Sequence, residues 1–280
     1  MTNRRFSERY GFAPQPDPKP DDHLPGWVRE AITNEIRGFV SNKPQTSLPD
    51  IDIYALFRPY IWQVLDREPP GNPLGGPWNF YVPRTLMQCS WWQFYDILQQ
   101  ISKLVSEQWG EEYSVDFSDR VNAVLSREGI PWKMEDSEVI RALAPPIQEQ
   151  IREACALLTN PRFEGPDEQF KKAILCLNQR PEPDEENCVK DAVGALEAVA
   201  NIIAGTTGVQ LNTLLNREPF RSNIHPTIRQ AIEKIYAYRG VAPGVGHGQI
   251  GPATVGIAEA TWVLATSAAT ILYFVSKSPL

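Results

Sequence analysis

The sequence predicts a mainly α protein of two domains, 1–140 and 141–280. Apolar residues recur at the 3.6-residue helical period along most of the chain. Strand-like patterning is confined to one short stretch, 130–140. The two halves also differ in texture: 13 of the 25 prolines lie at or before Pro83, and seven of the 8 tryptophans lie at or before Trp132. The first domain is thus aromatic, Pro-rich and mostly helical, and the second is an aliphatic, Ala-rich helical bundle. At 280 residues, 42% hydrophobic and 22% charged, the chain has ample apolar surface for two cores, which excludes wholesale disorder.

In chain order, residues 13–25 (APQPDPKPDDHLP) form an extended, solvated Pro-rich segment. A helix follows over Gly26–Val40, with Trp27, Ile32, Ile36 and Val40 as its apolar marks. Asp50–Leu65 is a second apolar stretch, broken at Pro59, and Glu68–Pro83 is a loop by its Pro and Gly content. Ser90–Trp109 carries Phe94, Leu98, Ile101 and Val105 on one helical stripe. Phe117–Leu125 continues as helix and Gly129 stops it. Two short strands flank Asp136 and Ser137.

Helices are expected at 145–159, 167–179, 185–205, 226–239 and 256–277. Phe170, Ile174 and Leu177 mark one face of the second. Val189, Val193, Leu196, Ala200 and Ile203 mark one face of the third. Asp184 and Glu185 suit the positive end of that helix's dipole, and Gly205 lies just past its end. Pro226 opens the fourth at a position where a missing N–H costs nothing.

The net charge of -7 excludes a generic basic nucleic-acid coat, because such binding needs many Lys and Arg against phosphates. Cys89, Cys155, Cys176 and Cys188 show no CxxC pair and no zinc-like spacing, so no metal is expected. They read as reduced, mostly buried thiols of a cytoplasmic protein. The N-terminus lacks the apolar core of a secretory signal. Ala260–Val275 is short for a bilayer span and holds four Ser or Thr hydroxyls, so it reads as a core helix.

Candidate chemistry centres on 226–248. The stripe Ile228, Ile232, Ile235 leads by one further turn to Arg239, an arginine where the period asks for a hydrophobe. Gly240 and the segment VAPGVG follow, then His247. Arginine offers a fixed charge and a bidentate fork for phosphate oxygens, and histidine exchanges protons near neutrality. The alternative is local: Arg239 caps the helix end and His247 is an ordinary loop residue. Among the remaining histidines, His225 reads as a cap before Pro226 and His23 as exposed. Glu259 suits the dipole at the start of the last helix. Glu197 is the only charge between Asp191 and Arg217, and is either a partner for Arg239 or a boundary residue facing solvent. Between Arg217 and His247 five basic residues face two acidic ones, a locally positive patch suited to one anionic group.

The segments KKAILCLNQRPEPDEENCVKDAVGALEAVANIIAG (171–205), HPTIRQAIEKIYAYRGVAPGVGHG (225–248) and EATWVLATSAATILYFVSK (259–277) resemble the C-terminal module of abortive-infection proteins in the HEPN superfamily of helical ribonucleases. FSERYGF (6–12) is similar to the start of the N-terminal domain of AbiJ-like members, and VNAVLSREGIPWKM (121–134) to their linker. The resemblance implies an AbiJ-like N-terminal sensor or regulator at 1–140 and a HEPN-like bundle at 141–280. It further implies a homodimer that cleaves RNA without metal or cofactor, answers a phage-derived trigger and needs no membrane. The catalytic residues it implies are Arg239, His247 and, by a looser match, Glu197 as the acid orienting Arg239. Seven residues separate Arg239 from His247, a longer spacing than is usual in the family. Other readings of the chain are a non-catalytic HEPN-like module for dimerisation or RNA or nucleotide binding, and an interaction protein using Trp78, Trp91, Trp92 and Trp109. For those tryptophans an aromatic core is the simpler account.

Overall fold

The computed structural model describes residues 24–41, 86–180, 182–241 and 255–277. These are 77% helix and 4% strand, a mainly α fold. The chain divides into two compact units, Met1–Ala142 and Leu143–Leu280. Residues 13–23 of the Pro-rich segment, the 50–65 stretch, the 68–83 loop, FSERYGF, Trp78, His23 and His247 lie outside the described residues, while Leu24 and Pro25, expected to be solvated, are buried at the start of the first helix.

In the first unit, α1 (Gly26–Ser41), α2 (Trp91–Trp109) and α3 (Glu111–Arg127) pack with a hairpin of β1 (Trp132–Glu135) and β2 (Glu138–Arg141). The α2 stripe is as expected: Phe94 and Leu98 are 0% exposed, Ile101 and Val105 1%. Trp91, Tyr95 and Trp132 cluster at about 6 Å between ring centroids, so the tryptophans at the heart of this unit are core. Trp27 departs from expectation. It is 57% exposed, donates its indole N–H to Glu128 at 3.1 Å, and leaves the inward position to Val28. The buried Arg29 gives its guanidinium to the carbonyls of Leu24, Leu86 and Cys89.

The hairpin turn needs left-handed backbone at two consecutive residues, Asp136 (φ 50°) and Ser137 (φ 62°), the geometry of a type I′ turn. Polar side chains fasten it down. Asn122 pairs both ways with the Met134 backbone, and Gln99 accepts the Val139 N–H at 2.8 Å. The hydroxyls of Ser102, Ser114 and Ser137 bond one another at 2.9–3.1 Å.

The second unit is a bundle of α4 (Pro145–Leu158), a 3₁₀ turn (Pro161–Phe163), α5 (Glu164–Asn178), α6 (Glu185–Ala204), α7 (Leu211–Leu215), α8 (Phe220–Asn223), α9 (Pro226–Val241) and α10 (Ile257–Ser276). α6 is central and packs against α5, α7, α9 and α10. Val189, Val193, Leu196 and Ala200 are all 0% exposed, as are Ala192, Ala195 and Val199 beside them, so α6 is apolar on more than one face. Its ends are capped: Asp184 accepts the Asn187 N–H at 3.1 Å, and Gly205 adopts the left-handed conformation past the C-terminus.

α10 is long and apolar enough by composition to cross a membrane, yet half of that span is buried in this unit. Val263, Ala268, Ile271 and Phe274 are 0% exposed, and the hydroxyls of Thr266 and Thr270 bond back to carbonyls one turn earlier. The four cysteines are free, but only Cys188 is fully buried. Cys89, Cys155 and Cys176 are half-buried, against the expectation of mostly buried thiols.

Candidate functional site

The site is built on α9 and what it leans on. His225 starts the helix: its carbonyl accepts the N–H groups of Ile228 and Arg229, and its Nδ1 accepts that of Thr227 at 3.3 Å. The expected apolar stripe begins one turn late. Ile232 and Ile235 are 4% and 8% exposed, but Ile228 is 41% exposed. The reason is chemical. At that height α9 meets the C-terminus of α7, where helix carbonyls need donors. Arg229 therefore turns inward and donates to the Leu215 carbonyl at 3.0 Å.

At the other end of the stripe lie Tyr236 and Arg239, three residues apart on one face and both half-buried. The Arg239 guanidinium carbon sits 5.2 Å from the Tyr236 ring centroid, within cation–π range. The Tyr236 hydroxyl faces the Glu197 carboxylate on α6. Glu197 Oε2 accepts the Leu211 N–H at 3.0 Å, satisfying the first backbone donor of α7. One turn further along α6, Asn201 braces the connecting loop. Its amide nitrogen donates to the carbonyls of Glu197 and Val209, and its Oδ1 accepts from Thr206 Oγ1 and the Val209 N–H.

A chain of contacts therefore runs from α7 through Glu197 and Tyr236 to Arg239. Burial pushes the Tyr236 phenol up to about 12, and the facing Glu197 carboxylate adds to this while the Arg239 charge opposes it. Tyr236 is neutral at ordinary pH and a dependable donor. Glu197 is neither of the two things its sequence position allows. It forms no ion pair with Arg239, and it does not simply face solvent, since it accepts the Leu211 N–H.

Among the described residues, no carboxylate lies within 4.0 Å of the Arg239 guanidinium. Of the other cations in this stretch, Arg217, Arg221 and Lys234 are exposed, while Arg229 is spent on α7. Beside the Tyr236 ring, between α7 and α9, lies a shallow open concavity of about 640 Å³ with polar walls.

The structure thus gathers Arg239 and Glu197 around one tyrosine, and His247 lies outside the described residues. Tyr236 was not singled out from sequence, although its position three before Arg239 on the same helix face was the available signal. No group of three or more His, Cys, Asp or Glu side chains is placed to hold a metal among the described residues. Burial drives the Cys188 thiol up to about 12, so it is a poor nucleophile. In comparisons with family models, curated proteins and solved structures, the chain matches none.

Proposed function

We propose that the chain is a metal-independent endoribonuclease toxin of an antiviral abortive-infection system, with a HEPN-like C-terminal bundle. One observation carries this reading. Arg239 stands at the end of α9, braced on the Tyr236 ring, with no acid neutralising it among the described residues. A guanidinium held in this way suits one phosphate diester and the extra charge that develops when that diester is attacked. The RNA 2′-hydroxyl attacks the adjacent phosphorus and the 5′-oxygen leaves, giving a 2′,3′-cyclic phosphate and a 5′-hydroxyl. His247 exchanges the proton as general base or acid, and Arg239 stabilises the phosphorane-like transition state. Glu197 acts through Tyr236, as a positioning group. In this reading the protein works in the cytoplasm as a homodimer, and the N-terminal domain answers a phage-derived trigger.

The second reading is a non-catalytic HEPN-like module for dimerisation or for RNA or nucleotide binding. It is favoured by the Glu197 carboxylate, which accepts the Leu211 N–H and forms no ion pair with Arg239. The test is cleavage of total cellular RNA by the purified full chain in the presence of EDTA. The expected result is cyclic-phosphate ends, with Arg239→Ala and His247→Ala each slower by about 100-fold or more. Absence of cleavage and of growth inhibition by the wild type would hand the function to the second reading. Cleavage persisting in both variants would refute the site.

A further inference from the structure

We infer that the concavity between α7 and α9 is a base-recognition subsite for single-stranded RNA, selecting a nucleotide whose base carries an exocyclic amine. This rests on the reading of Arg239 as the phosphate anchor and extends it to the neighbouring nucleoside.

The concavity of about 640 Å³ lies in the size range of small-ligand sites. It shares a wall with the phosphate anchor, because Tyr236 lines it and also carries Arg239 on its ring. A nucleotide phosphate at Arg239 therefore delivers its own or the adjoining base to this hollow. The other walls are Asn212, Thr213, Asn216, Glu233, Lys234 and the small Ala237. With Tyr236 as the one large ring, they fit a polar planar edge better than an acyl chain or a hydrophobic peptide side chain.

The hydrogen-bond inventory sets the preference. Both amide protons of Asn216 are already used, one on the Asn212 carbonyl at 2.9 Å and one on Glu233 Oε1 at 3.1 Å. What Asn216 offers a ligand is its Oδ1, an acceptor. Glu233 keeps its second carboxylate oxygen, also an acceptor. Two acceptors side by side are matched by an exocyclic amine with its two N–H donors, which adenine, cytosine and guanine possess, whereas uracil offers the single N3–H. The Lys234 ammonium supplies a further cation for the backbone. Asn212, Asn216 and Lys234 are exposed, so they can be replaced without opening the core.

The experiment is binding of fluorescent 2′-O-methyl hexamers, which cannot be cleaved at the blocked 2′-oxygen, to the full chain at fixed low salt. Oligo(A) and oligo(C) are compared with oligo(U) for wild type, Asn216→Ala, Glu233→Gln and Arg239→Ala. The wild type is expected to bind the amine-bearing oligomers at least about fivefold more tightly than oligo(U). Asn216→Ala should narrow that gap to about twofold or less while oligo(U) binding is unchanged, and Glu233→Gln should narrow it likewise while tightening oligo(U) through the lost negative charge. Arg239→Ala should weaken all oligomers alike. Wild-type binding with no base preference, or a preference that survives both wall variants, overturns the subsite and leaves the phosphate anchor standing. Binding of no oligomer by the wild type overturns both.

Discussion

Removing the Tyr236 hydroxyl and the Glu197 carboxylate separately and together measures whether α6 holds α9 through this pair. In the structure the Glu197 carboxylate accepts the Leu211 N–H and faces the Tyr236 hydroxyl. A hydrogen bond to a charged acceptor contributes about 1.5–3 kcal/mol net, and partial exposure moves this pair to the low end. Tyr236→Phe, which keeps the ring under Arg239, should cost about 1.5 kcal/mol. Glu197→Ala loses the Leu211 hydrogen bond as well as the Tyr236 contact and should cost about 2.5 kcal/mol. The double variant should cost about 2.5 kcal/mol rather than 4, a coupling of about 1.5 kcal/mol. In urea unfolding followed by far-ultraviolet circular dichroism, Tyr236→Phe should lower the midpoint by about 0.75 M at an m-value near 2 kcal/mol/M. Fluorescence is the poorer probe, since only Trp262 of the eight tryptophans lies in the C-terminal unit. Amide exchange at Leu211 should accelerate in Glu197→Ala and stay protected in Tyr236→Phe, because only the first removes its acceptor. Additive costs, with a coupling under about 0.3 kcal/mol, would refute the linkage.

Asn201→Ala should destabilise by about 2–3 kcal/mol by thermal or chemical unfolding, since a 7% exposed amide braces Glu197, Thr206 and Val209 at once. The Tyr236 proton is held more tightly in the folded chain than in the unfolded one, where the phenol titrates near 10. The stabilisation from that proton is complete below pH 10 and is lost as pH climbs towards 12, by about 1 kcal/mol after allowance for partial exposure. Ultraviolet titration should show a late phenolate step that Tyr236→Phe removes, and a step near pH 10 in its place would contradict the burial of the phenol against Glu197. Phe274→Ala, removing a 0% exposed ring 4.8 Å from Phe220, should cost about 3–5 kcal/mol on unfolding of the C-terminal unit.

The long helices were legible because burial of one face writes a 3.6 period into the chain, and α2, α6 and α10 bury that face fully. The hairpin was legible at Asp136 and Ser137, residues that tolerate or favour turns. α7 and α8 were not, since five and four residues are too few to show a period. The first turn of α3 was missed because Glu111, Glu112 and Asp116 give it no apolar stripe, although acids there suit the dipole. Ile228 and Trp27 were placed inward by period alone. The local need of the α7 carbonyls for a donor turned α9 by one position, and the indole N–H of Trp27 found Glu128 instead. At the site, Arg239 was legible as a break in a stripe. Tyr236 was not, because an aromatic on a helix face reads as core until the carboxylate facing its hydroxyl is known.

The central claim is that Arg239 and His247 act together on an RNA phosphodiester. Sequencing of RNA ends after induction of the wild type, Arg239→Ala and His247→Ala in cells tests it most directly. The account predicts new 5′-hydroxyl ends in the wild type that vanish in both variants while the proteins accumulate equally and remain folded. New ends of equal number in the variants, or none in the wild type alongside arrested growth, would contradict it.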